Sequence, residues 1–299
     1  MAFPYLNETE ELTDAVRANA DGSFIRLSDG VCYYELGQPR DHTVRNTQSV
    51  VLTHGFSVPN FIWDPAFDFL VRSGFRVLRY DLFGRGFSDR PRTRYNIHLF
   101  VRQLKNLLDA LDITESVHLA GLSMGGPISA AFVDQFPERV KSHILIDPAG
   151  AKPIRLSWAL KAAKLPHVPE LALGLFGGEG LVKSIASDFF DRELIEEFQA
   201  KYRVQMRYQG FIRAILSTVR NGMLDSFLET YQRVGKLNKP TLLIWGRNDT
   251  TVPFADSELL RAAIPQAQFH VIEYSSHIPH YEKPEEVNPI LQRFLTSNH

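Results

Sequence analysis

Residues 118–132 read HLAGLSMGGPISAAF, and the rest of the chain is organised around them. An apolar run enters a Gly-rich corner with Ser123 at its tip, then passes straight into small and apolar residues that suit a helix. A residue at so tight a corner takes a strained backbone and needs small neighbours two positions to either side. Gly121 and Gly125 supply that space, Gly126 adds to it, and Pro127 suits the first turn of a helix. Chance yields G-x-S-x-G about 0.08 times in a chain of this composition, so the pattern gains its force from the strand before it and the helix after it. In that setting the corner holds the Ser123 hydroxyl out for chemistry. The Met124 N–H then points at whatever reacts there, and the helix N-terminus favours negative charge.

Outward from the corner the same alternation recurs. SVVLTHG (49–55), FRVLRYDLFG (75–84), SVHLAGLS (116–123), VKSHILIDPAG (140–150), PTLLIWGRND (240–249) and AQFHVIEYSSH (267–277) are apolar strand runs. Helix-like segments lie near 61–73, 96–112, 125–136, 253–264 and 284–296. Apolar strands alternating with helices predict an α/β fold with a mostly parallel, doubly wound sheet. SFIRLSDGVCYYELG is two β-rich runs joined at Asp29-Gly30, a hairpin that adds antiparallel strands at one edge. Residues 7–20 fit a short amphipathic helix. Residues 151–236 hold no good strand run, only helical stretches, and read as a helical cap inserted between two strands. Residues 1–150 and 237–299 then form the core. An insertion after a strand's C-terminal end overhangs the edge where α/β sheets place their ligands.

The bulk numbers exclude several classes. A formal net charge of −1 over 299 residues gives no basic excess, so nucleic acid is not the expected partner. The single cysteine, Cys32, precludes an intrachain disulfide and fits a reducing, cytoplasmic setting. The acidic, polar start MAFPYLNETEELTD does not read as a secretory leader, and no apolar run reaches the ~18 residues of a membrane span. The histidines form no H-E-x-x-H pattern and GRGFSD lacks the nucleotide-loop lysine, so neither a metal nor a nucleotide cofactor is expected.

A serine hydroxyl is a poor nucleophile until a neutral imidazole takes its proton and a carboxylate orients that imidazole. WGRNDTTVP offers Asp249 just after one strand, and EYSSHIPHYEKP offers His277 just after the last. The order Ser, Asp, His is the one expected for this architecture. Asp147 is a rival acid and His280 a rival base. His54 reads as shaping a loop, His118 and His143 as satisfied histidines, and Asp81, Gly84, Gly86, Ser88 and Asp89 as turn chemistry.

With THGF, DLFGRGFSD, GLSMGG, WGRNDTTVP and SHIPHYEKP in this order, residues 25–298 resemble an α/β-hydrolase of the capped serine-esterase kind. The resemblance implies Ser123 as nucleophile, His277 as base and Asp249 as orienting acid, with the N–H groups of Phe56 and Met124 as the oxyanion hole. It implies hydrolysis of small to medium, largely apolar carboxylic esters. Ser276 stands where the family usually has Gly. Ser123 argues against dehalogenases and ester-intermediate epoxide hydrolases, which need Asp at the corner. A carbon–carbon bond hydrolase of the meta-cleavage type shares the triad, but its pattern has Asn before the nucleophile, a GPGA loop and Trp after the His. Here Leu122, GFSVPN and Ile278 stand there. A cofactor-free perhydrolase and a non-catalytic ligand-binding member of the fold stay open. Residues 154–182, rich in Leu, Ala, Phe, Trp158 and Pro, suit either a substrate lining or the cap's own core. The basic run Lys201, Arg203, Arg207, Arg213 and Arg220 suits either an anionic contact or a solvated face.

Overall fold

The computed structural model describes residues 8–39, 48–154 and 179–298. Eight strands form one sheet: β1 (Ser23–Leu27), β2 (Gly30–Gly37), β3 (Ser49–Thr53), β4 (Arg76–Tyr80), β5 (Val117–Leu122), β6 (Val140–Ile146), β7 (Thr241–Gly246) and β8 (Gln268–Ile272). Their order is β1-β2-β4-β3-β5-β6-β7-β8. β1 and β2 pair antiparallel, as do β2 and β4. All other pairings are parallel. This is the doubly wound, mostly parallel sheet that the alternation predicts. The hairpin is shifted by one residue: Leu27 pairs with Gly30, so Ser28 and Asp29 form the loop. Gly30 opens β2 at φ 153°, where an added Cβ would lie 2.9 Å from Asp89.

Period-two side-chain alternation explains why continuous apolar strands are needed. Val51, Leu145, Leu243 and Trp245 face one core, which they share with α3 (Ile97–Ala110) and α4 (Gly125–Gln135). Their neighbours Val50, Leu52, Ile144, Leu242 and Ile244 face the other, against α2 (Asp64–Arg72) and the C-terminal helix Pro284–Ser297. The central strands β3, β6 and β7 therefore bury both faces.

Between β6 and β7 the described chain is helical: 179–184, then a 3-10 turn Ile185–Asp188, α5 (Ile195–Met206), α6 (Phe211–Arg220) and α7 (Leu228–Lys236). The expected lining around Trp158 lies in residues 155–178, outside the described residues. The amphipathic helix expected over 7–20 is reduced to α1 (Asp14–Arg17). Residues 8–10 instead run extended beside α6. Glu10 pairs with Tyr208, and the Glu8 carboxylate accepts from the N–H groups of Gly210 and Ile212 at 2.6 Å each. Helix N-termini leave such donors unpaired, and an acid placed there satisfies them. Among the described residues no helix is long and apolar enough to cross a membrane.

Candidate active site

Ser123 stands between β5 and α4 at φ 52°, a left-handed conformation that non-glycine residues rarely adopt. The surroundings fix it there. Its N–H donates to Ile146 O at 3.1 Å, and its carbonyl accepts from Gly126 and Ala149 at 2.9 and 3.0 Å. The glycines are required by contact: a Cβ on Gly121 would lie 2.3 Å from Gly125 O, and one on Gly125 would lie 2.4 Å from Thr53 O. Gly55 admits Ser123 itself, whose Cβ would be 3.1 Å from a Cβ at position 55.

Phe56 follows Gly55 in the loop after β3, and Met124 is buried at the start of α4. Neither N–H donates to a described residue. His54 braces the loop: its Nε2 accepts from Leu82 N–H at 2.9 Å, and its Nδ1–H donates to Gly55 O at 3.0 Å. Burial, aided by nearby Arg85, lowers its pKa to about 3, so it stays neutral. Arg85 is wholly buried and escaped the sequence reading. It donates to Phe56 O at 2.8 Å, Phe83 O at 3.2 Å and Thr218 Oγ1 of α6 at 2.9 Å. One guanidinium thus holds both the Phe56 loop and the helix above it.

Asp249 follows β7 and His277 follows β8, and the structure brings them together: His277 Nδ1–H donates to Asp249 Oδ2 at 2.8 Å. Asp249 Oδ1 accepts from the N–H groups of Thr251 and Val252 at 2.8 and 2.9 Å, which locks the carboxylate's orientation. Burial disfavours a charged His277, but Asp249, Asp188 and Glu282 outweigh it and leave the pKa at about 8. The rivals separate clearly. His280 is buried against Trp63, ring centroids 4.4 Å apart, and burial lowers its pKa to about 3. Asp147 lies beside the pair, with donor atoms of Asp147, Asp249 and His277 within 4.8 Å of one another. Its Oδ1 accepts from Gly246 N–H at 2.9 Å. Burial, and then the Asp249 charge, push its carboxyl well above the usual range, which favours the neutral form of Asp147 beside the acid that touches the imidazole.

Ser123, His277 and Phe56 line one cavity of about 160 Å³. Its wall is completed by Ser184 and by the 3-10 turn that follows it, through Ile185, Ser187 and Asp188. This turn is tied to the His277 loop: His277 N–H donates to Asp188 O at 3.1 Å, and Thr251 Oγ1–H donates to Asp188 Oδ1 at 2.7 Å. Glu282 adds a second clamp. It accepts from Ser275 Oγ and Ser276 N–H at 2.9 and 2.8 Å on one oxygen, and from Phe190 and Asp191 N–H at 2.5 and 3.0 Å on the other. Asp188 and Glu282 were invisible in sequence because their partners are distant or lie in unpatterned loops.

The remaining candidates are structural. His118 bonds Ser142 Oγ at 2.7 Å and Gln48 Oε1 at 2.8 Å, and His143 bonds Ser129 Oγ at 2.8 Å. Burial pushes the Cys32 thiol up to about 12. In the basic run, Lys201 pairs with Glu197 and Asp64, Arg203 with Glu179 and Arg207 with Glu10. Arg213 donates to the carbonyls of Pro91 and Arg90. Arg213 and Arg220 also line an open surface groove with Arg92, Arg94 and Arg102, on residues separate from the Ser123 cavity.

Known proteins resemble this chain in sequence and fold. The chain is 28% identical over 302 residues to 2-hydroxy-6-oxononadienedioate/2-hydroxy-6-oxononatrienedioate hydrolase 1 of Pseudomonas putida, spanning 94% of this chain and 99% of that protein. It is 27% identical over 237 residues to lipase 3 of Moraxella sp. (strain TA144), spanning 79% of this chain and 73% of the lipase. A crystal structure of a meta-cleavage product hydrolase superposes with a TM-score of 0.75 at 25% identity, covering 92% of this chain and 98% of that one. A thermophilic esterase from Thermogutta terrifontis superposes with a TM-score of 0.77, covering 94% and 100%; at 24% identity this is a likeness of fold. Residues 50–290 match the model of the alpha/beta hydrolase family. With the eight-stranded sheet and the serine corner already in place, that match makes the chain a member of the alpha/beta hydrolase family.

Proposed function

We propose that this family member is a serine hydrolase that cleaves carboxylic esters of small to medium, largely apolar substrates through an acyl-serine intermediate. The observation that carries the reading is the His277–Asp249 hydrogen bond of 2.8 Å beside a cavity that Ser123 also lines. In the proposed mechanism Ser123 Oγ attacks the ester carbonyl carbon as the His277 imidazole takes its proton. The tetrahedral oxyanion sits between the N–H groups of Phe56 and Met124, where a single donor contributes about 3–4 kcal/mol to such transition states. Collapse expels the alcohol, which leaves with the proton from His277. Water then attacks the acyl-serine, His277 again taking and returning a proton, and the acid departs. Asp249 keeps the Nδ1–H tautomer, leaving Nε2 for this transfer. Residues 151–236 act as the cap of this reading, with residues 1–150 and 237–299 as its core.

Hydrolysis of a p-nitrophenyl ester series from acetate to palmitate, with Ser123→Ala alongside, tests this. Turnover abolished in the variant is the expected result, and the preferred chain length sizes the pocket. A folded wild-type protein that turns over none of the series overturns the ester reading.

A second reading, carbon–carbon bond hydrolysis of a dienoic diketone, is favoured by the 28% identity to the Pseudomonas putida hydrolase. Leu122, GFSVPN and Ile278 weigh against it, as does the acid in the cavity wall. Turnover of a meta-cleavage product with all esters inert would reverse the order of the two readings.

A further inference from the structure

Asp188 has no part in the mechanism above, yet it lines the same small cavity as Ser123 and His277. Its position is built. The 3-10 turn Ile185–Asp188 brings it to the wall, and the turn is stitched to the His277 loop by His277 N–H on Asp188 O and by Ser276 Oγ–H on Ser187 O at 3.2 Å. Thr251, whose N–H holds Asp249, turns its hydroxyl to Asp188 Oδ1. That leaves Asp188 Oδ2 without a hydrogen bond to a described residue, on a side chain half-buried in the wall. Among the described residues the lining contains neither lysine nor arginine, and its one basic side chain, His277, must be neutral to act as base, so a substrate carboxylate finds no permanent counter-ion there. Apart from His277, its other polar side chains, among them Ser57, Ser184 and Ser187, are hydroxyls.

Resting on the ester reading, we propose that Asp188 determines specificity: the substrate carries a hydrogen-bond donor, hydroxyl or protonated amine, close to the reacting carbonyl, and esters with a carboxylate there are refused. Two physical facts support it. A ligand packed against the Asp188 carboxylate oxygen that lacks a protein hydrogen bond strips it of water, which disfavours any ligand that fails to supply a donor. An ionised Asp188 and a substrate carboxylate a few ångströms apart in so small a cavity repel, and this acts as built-in discrimination against the wrong substrate.

The test compares kcat/KM for ethyl butyrate, glycerol monobutyrate, dimethylaminoethyl butyrate and monoethyl succinate, in wild type and in Asp188→Asn. Asparagine keeps the acceptor for Thr251 and removes the charge. The proposal expects wild type to prefer the hydroxylated or the amine ester about tenfold over ethyl butyrate, and to disfavour monoethyl succinate by about tenfold or more. Which donor ester leads identifies the donor. In Asp188→Asn the penalty on monoethyl succinate falls to about threefold or less, mainly through KM. Wild type accepting monoethyl succinate as well as ethyl butyrate overturns the proposal, as does an unchanged order in the variant. If every ester is inert the ester reading has failed, and Asp188 is read separately. Protection of Ser123 from a fluorophosphonate label by 3-(hydroxymethyl)phenylboronic acid is then compared with protection by 3-carboxyphenylboronic acid. Stronger protection by the hydroxymethyl compound in wild type, lost in Asp188→Asn, supports the selectivity; equal or stronger protection by the carboxy compound overturns it.

Discussion

Ser123 is held at a φ of 52° by contacts that tolerate almost no added volume. The clearest consequence falls on Gly121, where a methyl group would meet Gly125 O at 2.3 Å and Ser129 Oγ at 2.5 Å. A backbone oxygen cannot swing away as a long side chain can. Gly121→Ala should therefore cost roughly 1–3 kcal/mol or more in a denaturant titration, and reduce turnover by displacing the corner. A variant as stable and active as wild type would show that the corner has slack. The proposed base sets a second expectation at this scale. In the proposed mechanism His277 acts only when neutral, and its acidic neighbours raise its pKa to about 8. A raised pKa keeps the proton on to higher pH, so kcat/KM should rise through about pH 8. The sequence alone, with an ordinary histidine in mind, points to about 6.5–7.5. A pH–rate profile already flat from pH 6.5 to 8.5 would remove His277 as the base. The candidates Ser123, Asp249 and His277 could be picked out in sequence because each follows a recognisable strand. Arg85, Asp188 and Glu282 could not, since what they do depends on contacts such as Arg85 with Thr218, 133 positions away.

Among the elements, the strands were the most legible and the segment before them the least. Continuous apolar runs specify buried parallel strands because both faces need cover, and β3 to β7 fall within the predicted runs. The stretch over residues 7–20 has helical periodicity, yet only Asp14–Arg17 is helical. Its acids serve another element: Glu8 caps α6 through Gly210 and Ile212, and Glu10 lies against Arg207 and Tyr208. Local periodicity carries no information about such a partner 200 residues away. Burial raises the pKa of Glu8, opposed by those two backbone N–H groups and by Arg90 and Arg213, so the carboxylate depends on these contacts. Glu8→Ala should lower stability by about 1–2 kcal/mol, since it leaves helix N-terminal donors unpaired, and Glu8→Gln should recover part of the loss. Thermal unfolding of the two variants measures this. A shift in Tm no larger for alanine than for glutamine would mean that the carboxylate contributes nothing specific.

At the scale of the molecule, the helices between β6 and β7 do not sit on the sheet as a detached cover. Phe198, Tyr202, Phe211, Ile212, Ile215 and Val219 belong to the same buried cluster as Leu52, Leu122 and Ile146 of the strands. Ala214, Tyr231 and Val234 join the cluster on the other side of the sheet. Arg85 and Glu282 add hydrogen bonds from the core to α6 and to Phe190 and Asp191, respectively. The lack of strand runs in residues 151–236 reads as an insertion but says nothing of this shared core, because which apolar residues meet is a property of the fold. Where two units share one apolar core, separating them exposes that core, and neither gains by unfolding first. The expectation is a single cooperative transition. Tryptophan fluorescence, to which the core residues Trp63 and Trp245 contribute, and far-UV circular dichroism, which weighs the helices, should give coincident curves in urea. A helical signal that is lost first, at lower urea and while the fluorescence stays native, would make the region an independent lid and would assign the Arg85–Thr218 and Glu282 contacts to a latch that opens. Coincident curves would confine any motion that admits substrate to local elements such as the 3-10 turn bearing Asp188, the part of the wall held by hydrogen bonds from Thr251, Ser276 and His277.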